Sequence, residues 1–328
     1  MRVVVTGAAG QLGRDLVDVL SGRVPAGGSA DVADAVLGAV AWPGGSRPGA
    51  GLEVLGTDLP DLDLTDRSGV RAYVRSARPD AVVHGAAWTA VDACESDPDR
   101  AYAANALATR HVAEAAGEVG AHVVYVSTDY VFDGTSEDPY VEWDRPGPMS
   151  VYGRSKLAGE HEVRPGSTVV RTSWVCGYHG ANMVKTVLRL AASPGTLRFV
   201  DDQRGSPTFT ADLAAAIARL VAERRPGTFH VTNQGVTTWF GFARAVLAAA
   251  GDDPDRVLPI ATADLDPPRP APRPASSVLD NAAWRLSGLP PLPAWTEALD
   301  RLVAALGTAS PGAGDGTPAA GGSTPRRR

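Results

Sequence analysis

The stretch RVVVTGAAGQLGRD, residues 2–15, decides how the chain is read. A β-branched apolar run stops at Gly7, and three residues past it a pattern with helical spacing begins. Gly7, Gly10 and Gly13 stand three apart between the two. Glycines there permit a tight turn, a close approach of backbone to a pyrophosphate, and close packing of helix on strand. The free N–H groups and positive dipole end of the helix then face the phosphates. A glycine-rich turn in a chain with 36 glycines is the plain alternative. The strand–loop–helix context, at the first element of an alternating pattern, favours dinucleotide binding.

Working outward, "LEVLGTD", "DAVVHGAA", "HVVYVS" and "STVVRTS" read as further strands. "DRSGVRAYVRSA", a long segment from about residue 99 to 120, and "SVYGRSKLAGEHE" read as the helices between them. This alternation predicts an α/β fold: a Rossmann-like, doubly wound parallel sheet with ligands at the carboxyl ends of its strands. After "RTSWV" the strand rhythm gives way to Pro-rich loops such as "DLDPPRPAPRPASS", which predicts a smaller C-terminal α/β lobe for the substrate. The expected division is a dinucleotide-binding domain over 1–172, with elements around 208–235 returning to it, and a substrate lobe over 173–207 and 236–306. Residues 22–51 are read as a surface insertion with a short helix around Ala30 to Ala41, and 307–328 as a disordered tail.

Composition narrows the function. A net charge of -6 over 328 residues argues against nucleic acid or an acidic membrane as the partner. No apolar run reaches the length of a bilayer span, and no secretory h-region precedes the first strand. Two cysteines, Cys94 and Cys176, make neither a disulfide framework nor a metal cluster. A cytoplasmic, metal-independent protein is the expectation.

Asp58 fits the tip of the second strand, where a carboxylate favours a ribose 2′-hydroxyl, whereas Arg14 just past the glycine loop suits a 2′-phosphate. The two cues conflict and leave NADH against NADPH open. Asp63 is placed to accept from an adenine amino group, or equally to cap a following helix.

Only two of the 31 basic residues are lysine, and one of them, Lys156, follows Tyr152 by four residues in a segment that Ser150 caps. Arginine would serve as a generic surface charge, as it does elsewhere in the chain. A compact ammonium with three rotatable donors can bridge a ribose hydroxyl and sit near a phenol. Such a cation, helped by the positive nicotinamide of the oxidised cofactor, is expected to draw the tyrosine pKa from about 10 toward neutrality and make Tyr152 a proton donor and acceptor. Ser127 and Thr128 end the preceding strand, where a hydroxyl can donate to a carbonyl oxygen as charge develops on it.

The segments "GQLG", "AAWTAVDACESDP", "STDYVFDG", "VYGRSKLAGE", "RTSWV", "DDQRGSPT" and "RPASSVLD" run from residue 1 to about 280, the insertion aside. Together they resemble the extended branch of the short-chain dehydrogenases/reductases, and more closely the dTDP-4-dehydrorhamnose reductase family. The resemblance implies reduction of the C4 ketone of dTDP-4-dehydro-β-L-rhamnose, usually with NADPH. It makes Tyr152 the proton donor, Lys156 the holder of the nicotinamide ribose and Thr128 the partner of the carbonyl oxygen. Asp129 and Trp174 would touch the sugar. Gly10, Gln11 and Leu12 would meet the pyrophosphate, Asp63 and Leu64 the cofactor's adenine side, and Ala86, Ala87 and Thr89 its middle. Asn105 would fix backbone near Lys156, with a buried structural asparagine an equal alternative. Gln203, Arg273 and Lys185 are the candidates for the dTDP end, with a plain surface charge the simpler reading of Lys185. Some relatives dimerise on a bridging metal held by acidic residues; "LRLAASPGT" offers no matching carboxylate. The expectation is therefore no metal, and a monomer or homodimer.

Four other readings share these motifs. A 4,6-dehydratase needs a glutamate where "TDY" has Tyr130, which disfavours it. A reductase of another dTDP-4-keto-6-deoxy sugar, a sugar-nucleotide 4-epimerase and a non-catalytic regulatory subunit stay open. If lysine is required for its shape and not its charge alone, Lys156→Arg will lose orders of magnitude in turnover; a variant with wild-type kcat would undo that argument.

Overall fold

The computed structural model describes residues 1–38 and 52–308. Its centre is a six-stranded parallel sheet built from β1 (Arg2–Thr6), β2 (Glu53–Thr57), β3 (Ala81–His84), β4 (His122–Thr128), β5 (Thr168–Thr172) and a sixth strand, Gly227–His230. The spatial order is β2-β1-β3-β4-β5 with the sixth strand beside β5. Chain direction through the sheet reverses between β1 and β3, which opens a crevice at their carboxyl ends.

Alternation of side chains along the strands builds the two layers. Val3 and Val5 point to one face and pack under α1 (Gln11–Leu20), α2 (Ala30–Leu37) and α9 (Thr210–Glu223). Val4, Val82 and Val123 point to the other, under α3 (Arg67–Ala77) and α6 (Ala108–Val119). β3 and β5 are buried at every position, as strands covered on both faces must be.

The expected long helix is interrupted. α4 (Val91–Ser96) and α5 (Pro98–Tyr102) lead into a π-helical turn, Ala103–Leu107, before α6 continues. Such single π-turns cluster at functional sites. α7 (Val151–Glu162) then follows its cap, Ser150, whose hydroxyl accepts from the Gly153 N–H at 3.1 Å.

A second apolar cluster lies beyond β5. α8 (Met183–Ala191), α10 (Trp239–Ala249) and α12 (Trp295–Thr308) surround Phe209, Phe242, Val257 and Trp295. The strand rhythm persists here as three short pairs. Leu197–Val200 lies parallel to Val257–Ile260, Val175–Cys176 parallel to Thr208–Phe209, and Arg204–Gly205 antiparallel to Thr237–Thr238.

Two expectations need correction. The segment read as a surface insertion contributes to the core: Val36 and Leu37 of α2 are buried against α9, and Arg219 donates to the Val36 carbonyl at 2.8 Å. Its helix is described over Ala30–Leu37, and residues 39–51 of the insertion, Ala41 among them, lie outside the described residues. Residues 307 and 308, assigned to the tail, belong to α12; 309–328 lie outside the described residues. If α2 is structural, Leu37→Ala will cost about 2 kcal/mol or more in urea denaturation, whereas a cost near zero would return it to the status of an ornament.

Candidate functional site

The glycine loop turns at the carboxyl end of β1. Gly7 has φ +72, and a Cβ on it would stand 2.8 Å from the Ala86 nitrogen. A Cβ on Gly13 would run into the Gly7 carbonyl, so helix and loop touch only because both positions are bare. Gly10 is the N-cap of α1 and supplies no side-chain cap, which leaves the first-turn N–H groups to a ligand. They face a cleft of about 750 Å³. A backbone cradle with uncapped donors fits a dinucleotide pyrophosphate.

The cleft is lined by Gly7, Gly10, Gln11, Leu12 and Gly13, then by Asp58, Asp63, Leu64, Ala86, Ala87 and Thr89. Ser127, Thr128, Asp129, Tyr152, Lys156 and Trp174 line its other end. Residues distant in sequence meet here because β1, β3, β4 and β5 all end on this side.

Several side chains are already committed. Asp58 accepts from the Ala9 N–H at 3.0 Å and from the Leu59 N–H at 2.9 Å, so it staples the glycine loop to β2. Arg14 donates to the Ala9 carbonyl at 3.2 Å. Asp63 accepts from the Thr65 N–H and hydroxyl at 2.8 and 2.7 Å, which lowers its pKa and makes it a turn residue ahead of α3. The Gln11 amide reaches the other way, to the Ala181 carbonyl and Asn182, each at 3.0 Å.

Tyr152 and Lys156 project from one face of α7, and both are buried. The Lys156 ammonium donates to the Val126 carbonyl at 2.7 Å and lies 4.2 Å above the Tyr125 ring. Burial pulls its pKa down to about 7, against a smaller upward pull from Glu160. Tyr152 behaves differently from expectation. Burial raises its pKa well above the usual phenol value and Asp129 adds to that, while the Thr128 hydroxyl beside it works the other way. The ammonium is directed at Val126, so in this structure burial and then the Asp129 carboxylate, not the lysine, dominate at the phenol.

That carboxylate, Asp129, is buried and accepts from the Thr128 and Ser173 hydroxyls, each at 2.9 Å, with Ser277 a third donor. Desolvation outweighs these bonds and lifts its pKa to about 6. Ser127 does not share Thr128's position. Its hydroxyl donates to Glu160 at 2.5 Å, within a buried Glu160–Arg171 ion pair. Asn105, in the π-turn, brackets Trp88 by accepting from its N–H at 2.8 Å and donating to its carbonyl at 3.1 Å. It also donates to Ser155 at 3.0 Å, which ties α7 to the loop after β3.

Three predicted residues stand elsewhere. Gln203 is buried and donates to the Thr262 hydroxyl at 2.9 Å, outside the cleft lining. Arg273 is also outside it, because its guanidinium grips both oxygens of Asp92 at 2.5 and 2.7 Å. Both side chains are engaged by protein partners in this structure. Lys185 is not a plain surface charge, since its ammonium donates to the Tyr178 and Gly180 carbonyls at 2.6 and 2.9 Å. Asp15, Asp18 and His179 bring metal-ligand types within 4.8 Å of one another, but none of them lines the cleft. Conversely, Arg100 and Trp239 line it without being marked in the sequence reading. The cue for Trp239 was its place after Thr238, a helix N-cap.

The raised pKa of Asp129 sets a sign for stability. Folding takes up a proton between the unfolded value and the folded one, so the ionised carboxylate costs stability above that window. Compared with Asp129→Asn, the wild type should gain on the order of 1–3 kcal/mol of unfolding free energy as pH falls from about 7 to about 4. Urea titrations whose difference does not change with pH would contradict the buried carboxylate.

Comparison with known proteins agrees with this geometry. The family model described as "RmlD substrate binding domain" matches residues 1–308. A dTDP-4-dehydrorhamnose reductase of Streptomyces griseus is 42% identical over 314 residues, covering 93% of this chain and 94% of that protein. A dTDP-4-keto-6-deoxy-D-glucose reductase of Streptomyces niveus is 39% identical over 307 residues, covering 91% and 95%. Among solved structures, a dTDP-4-dehydrorhamnose reductase of Bacillus anthracis in complex with NADP superposes with a TM-score of 0.80 at 37% identity, covering 92% of this chain and 98% of that one. With its model matched from the first strand through the last helix, the chain belongs to the RmlD substrate-binding domain family.

Proposed function

We infer that this chain is an NAD(P)H-dependent oxidoreductase that reduces the C4 ketone of dTDP-4-dehydro-β-L-rhamnose to dTDP-β-L-rhamnose, in dTDP-L-rhamnose biosynthesis. One observation carries the reading: Thr128, Tyr152 and Lys156 line the same cleft as a glycine cradle open to pyrophosphate. The likeness to the Streptomyces griseus reductase supplies the substrate class. NADPH is the cofactor suggested by the NADP complex of the Bacillus anthracis relative, and NADH is the second candidate.

A reduced nicotinamide, when bound, supplies the hydride to C4. The chain's residues supply the rest. Tyr152 remains protonated in its buried site and therefore enters as an acid, giving its proton to the oxygen on which charge develops. Thr128 stands between Tyr152 and Asp129 and orders the hydroxyls around that oxygen. Burial, with Asp129 adding to it, keeps phenolate from forming before the substrate arrives. Lys156 donates to Val126 with one N–H and has two more for the hydroxyls of a ribose.

In this reading residues 1–172, with the elements around 208–235, hold the dinucleotide, and 173–207 with 236–306 hold the sugar nucleotide across the cleft. The enzyme works in the cytoplasm on a small-molecule substrate; among the described residues no helix is long and apolar enough to cross a membrane. Whether it acts as monomer or homodimer does not alter the chemistry drawn above. The Streptomyces niveus relative supports a second reading, reduction of another dTDP-4-keto-6-deoxy sugar with the same residues.

The test is to supply NADPH or NADH with several dTDP-4-keto-6-deoxy hexoses, follow loss of reduced-nicotinamide absorbance, and identify products by NMR. Fastest turnover of dTDP-4-dehydro-β-L-rhamnose is expected, and no oxidation with any of them would refute the reading. Tyr152→Phe should keep its NADPH affinity while kcat falls by about 10²–10⁴. A phenylalanine variant with wild-type kcat would remove Tyr152 from the chemistry.

A further inference from the structure

Trp174 follows β5 into the cleft with φ +46, a left-handed backbone that a bulky residue rarely adopts. Its indole lies flat on that of Trp239, the centroids 3.5 Å apart and the planes 5° from parallel. Gly205 covers the opposite side: a Cβ there would run into the Trp174 ring at Cε2, with Nε1 and Cζ2 at 2.6 and 2.7 Å. The ring is therefore held in a slot, both faces covered, with its edge left for the cleft.

The two walls of that slot are one unit. Gly205 pairs in register with Thr237, two residues before Trp239. Thr238 caps α10 by accepting from the Gly241 N–H at 3.0 Å and donates to Asp201 at 2.6 Å. Behind the stack, Trp239 meets Phe242 edge-on at 6.0 Å, and Phe242 leans on Trp295 in the second apolar cluster. Trp174 follows directly on β5, whereas Gly205 and Trp239, which grip it, come from the paired segments further along the chain.

We propose that Trp239 is a positioning residue for sugar binding, clamping the Trp174 indole against Gly205 so that only its edge meets the sugar. This rests on the reading above, in which Trp174 contacts the sugar of a dTDP-keto sugar. Two stacked indoles restrict each other's rotamers, and a strained backbone keeps its conformation only where its surroundings over-determine it. Trp239 supplies that constraint by direct stacking.

The test uses the full chain with NADPH and the dTDP-4-keto hexose that it turns over best. Trp239→Leu should raise KM for the sugar nucleotide roughly five- to tenfold with a smaller change in kcat and an unchanged Kd for NADPH. Trp239→Phe, which keeps a ring in the stack, should recover most of that loss. The structural readout is the Trp174 indole N–H in a ¹⁵N-correlated NMR spectrum, assigned by its loss in Trp174→Phe. Ring current from Trp239 should place it upfield in the wild type and release it downfield in Trp239→Leu. Gly205→Ala should displace the same resonance and raise KM with Trp239 intact. A Trp239→Leu enzyme whose resonance moves while KM stays put would overturn the positioning role, as would a wild-type resonance with no upfield shift. If Trp174→Phe raises KM and Trp239→Leu does not, the clamp alone fails; if Trp174→Phe is also silent, the sugar contact itself is wrong.

Discussion

The site depends on one buried contact, the bond from the Lys156 ammonium to the carbonyl of Val126. It joins α7 to the last turn of backbone before Thr128, so the strand end and the helix face that carry the reacting groups are held at one spacing. Around it the packing leaves no slack. A Cβ on Gly159 would run into both the Asn105 carbonyl and the Tyr125 hydroxyl. Tyr125 in turn donates to the Lys156 carbonyl at 3.3 Å and places its ring under the ammonium. The π-turn fits the same requirement, since it carries Asn105, whose amide holds Trp88 and Ser155 together.

Charge follows from burial. An ammonium taken out of water loses protons more easily, and a phenol taken out of water keeps its proton. Lys156 and Tyr152 shift in these directions, and the carboxylate of Asp129 pushes the phenol further the same way. For an enzyme that adds a hydride and must then deliver a proton, a tyrosine kept neutral is the useful form. A tyrosine kept as phenolate would suit the reverse direction. The lysine's contribution in this arrangement is placement and donors, more than an acidifying field on Tyr152.

What the sequence disclosed is what depends on local geometry. Glycines at 7, 10 and 13 declare a turn that a side chain would block, and a serine two residues before Tyr152 declares a helix start. The sheet's order follows from alternation and short connections. Pairings set by tertiary contact were not legible: Arg273 meets Asp92 across 181 positions, and Gln203 meets Thr262 across 59. The burial of Val36 and Leu37 is hidden because glycine and proline borders mark a surface loop, whereas the apolar stripe between them faces α9. The surroundings of the phenol are not legible either, because spacing along a helix says that two side chains share a face, and nothing about where each points.

The most direct test is a titration of Tyr152 by NMR with ¹³C-labelled tyrosine, the resonance assigned by its disappearance in Tyr152→Phe. The account predicts that this phenol stays neutral past the ordinary tyrosine value of 10.0. A resonance reporting ionisation near neutral pH would contradict it, and would return Lys156 to the role of acidifier.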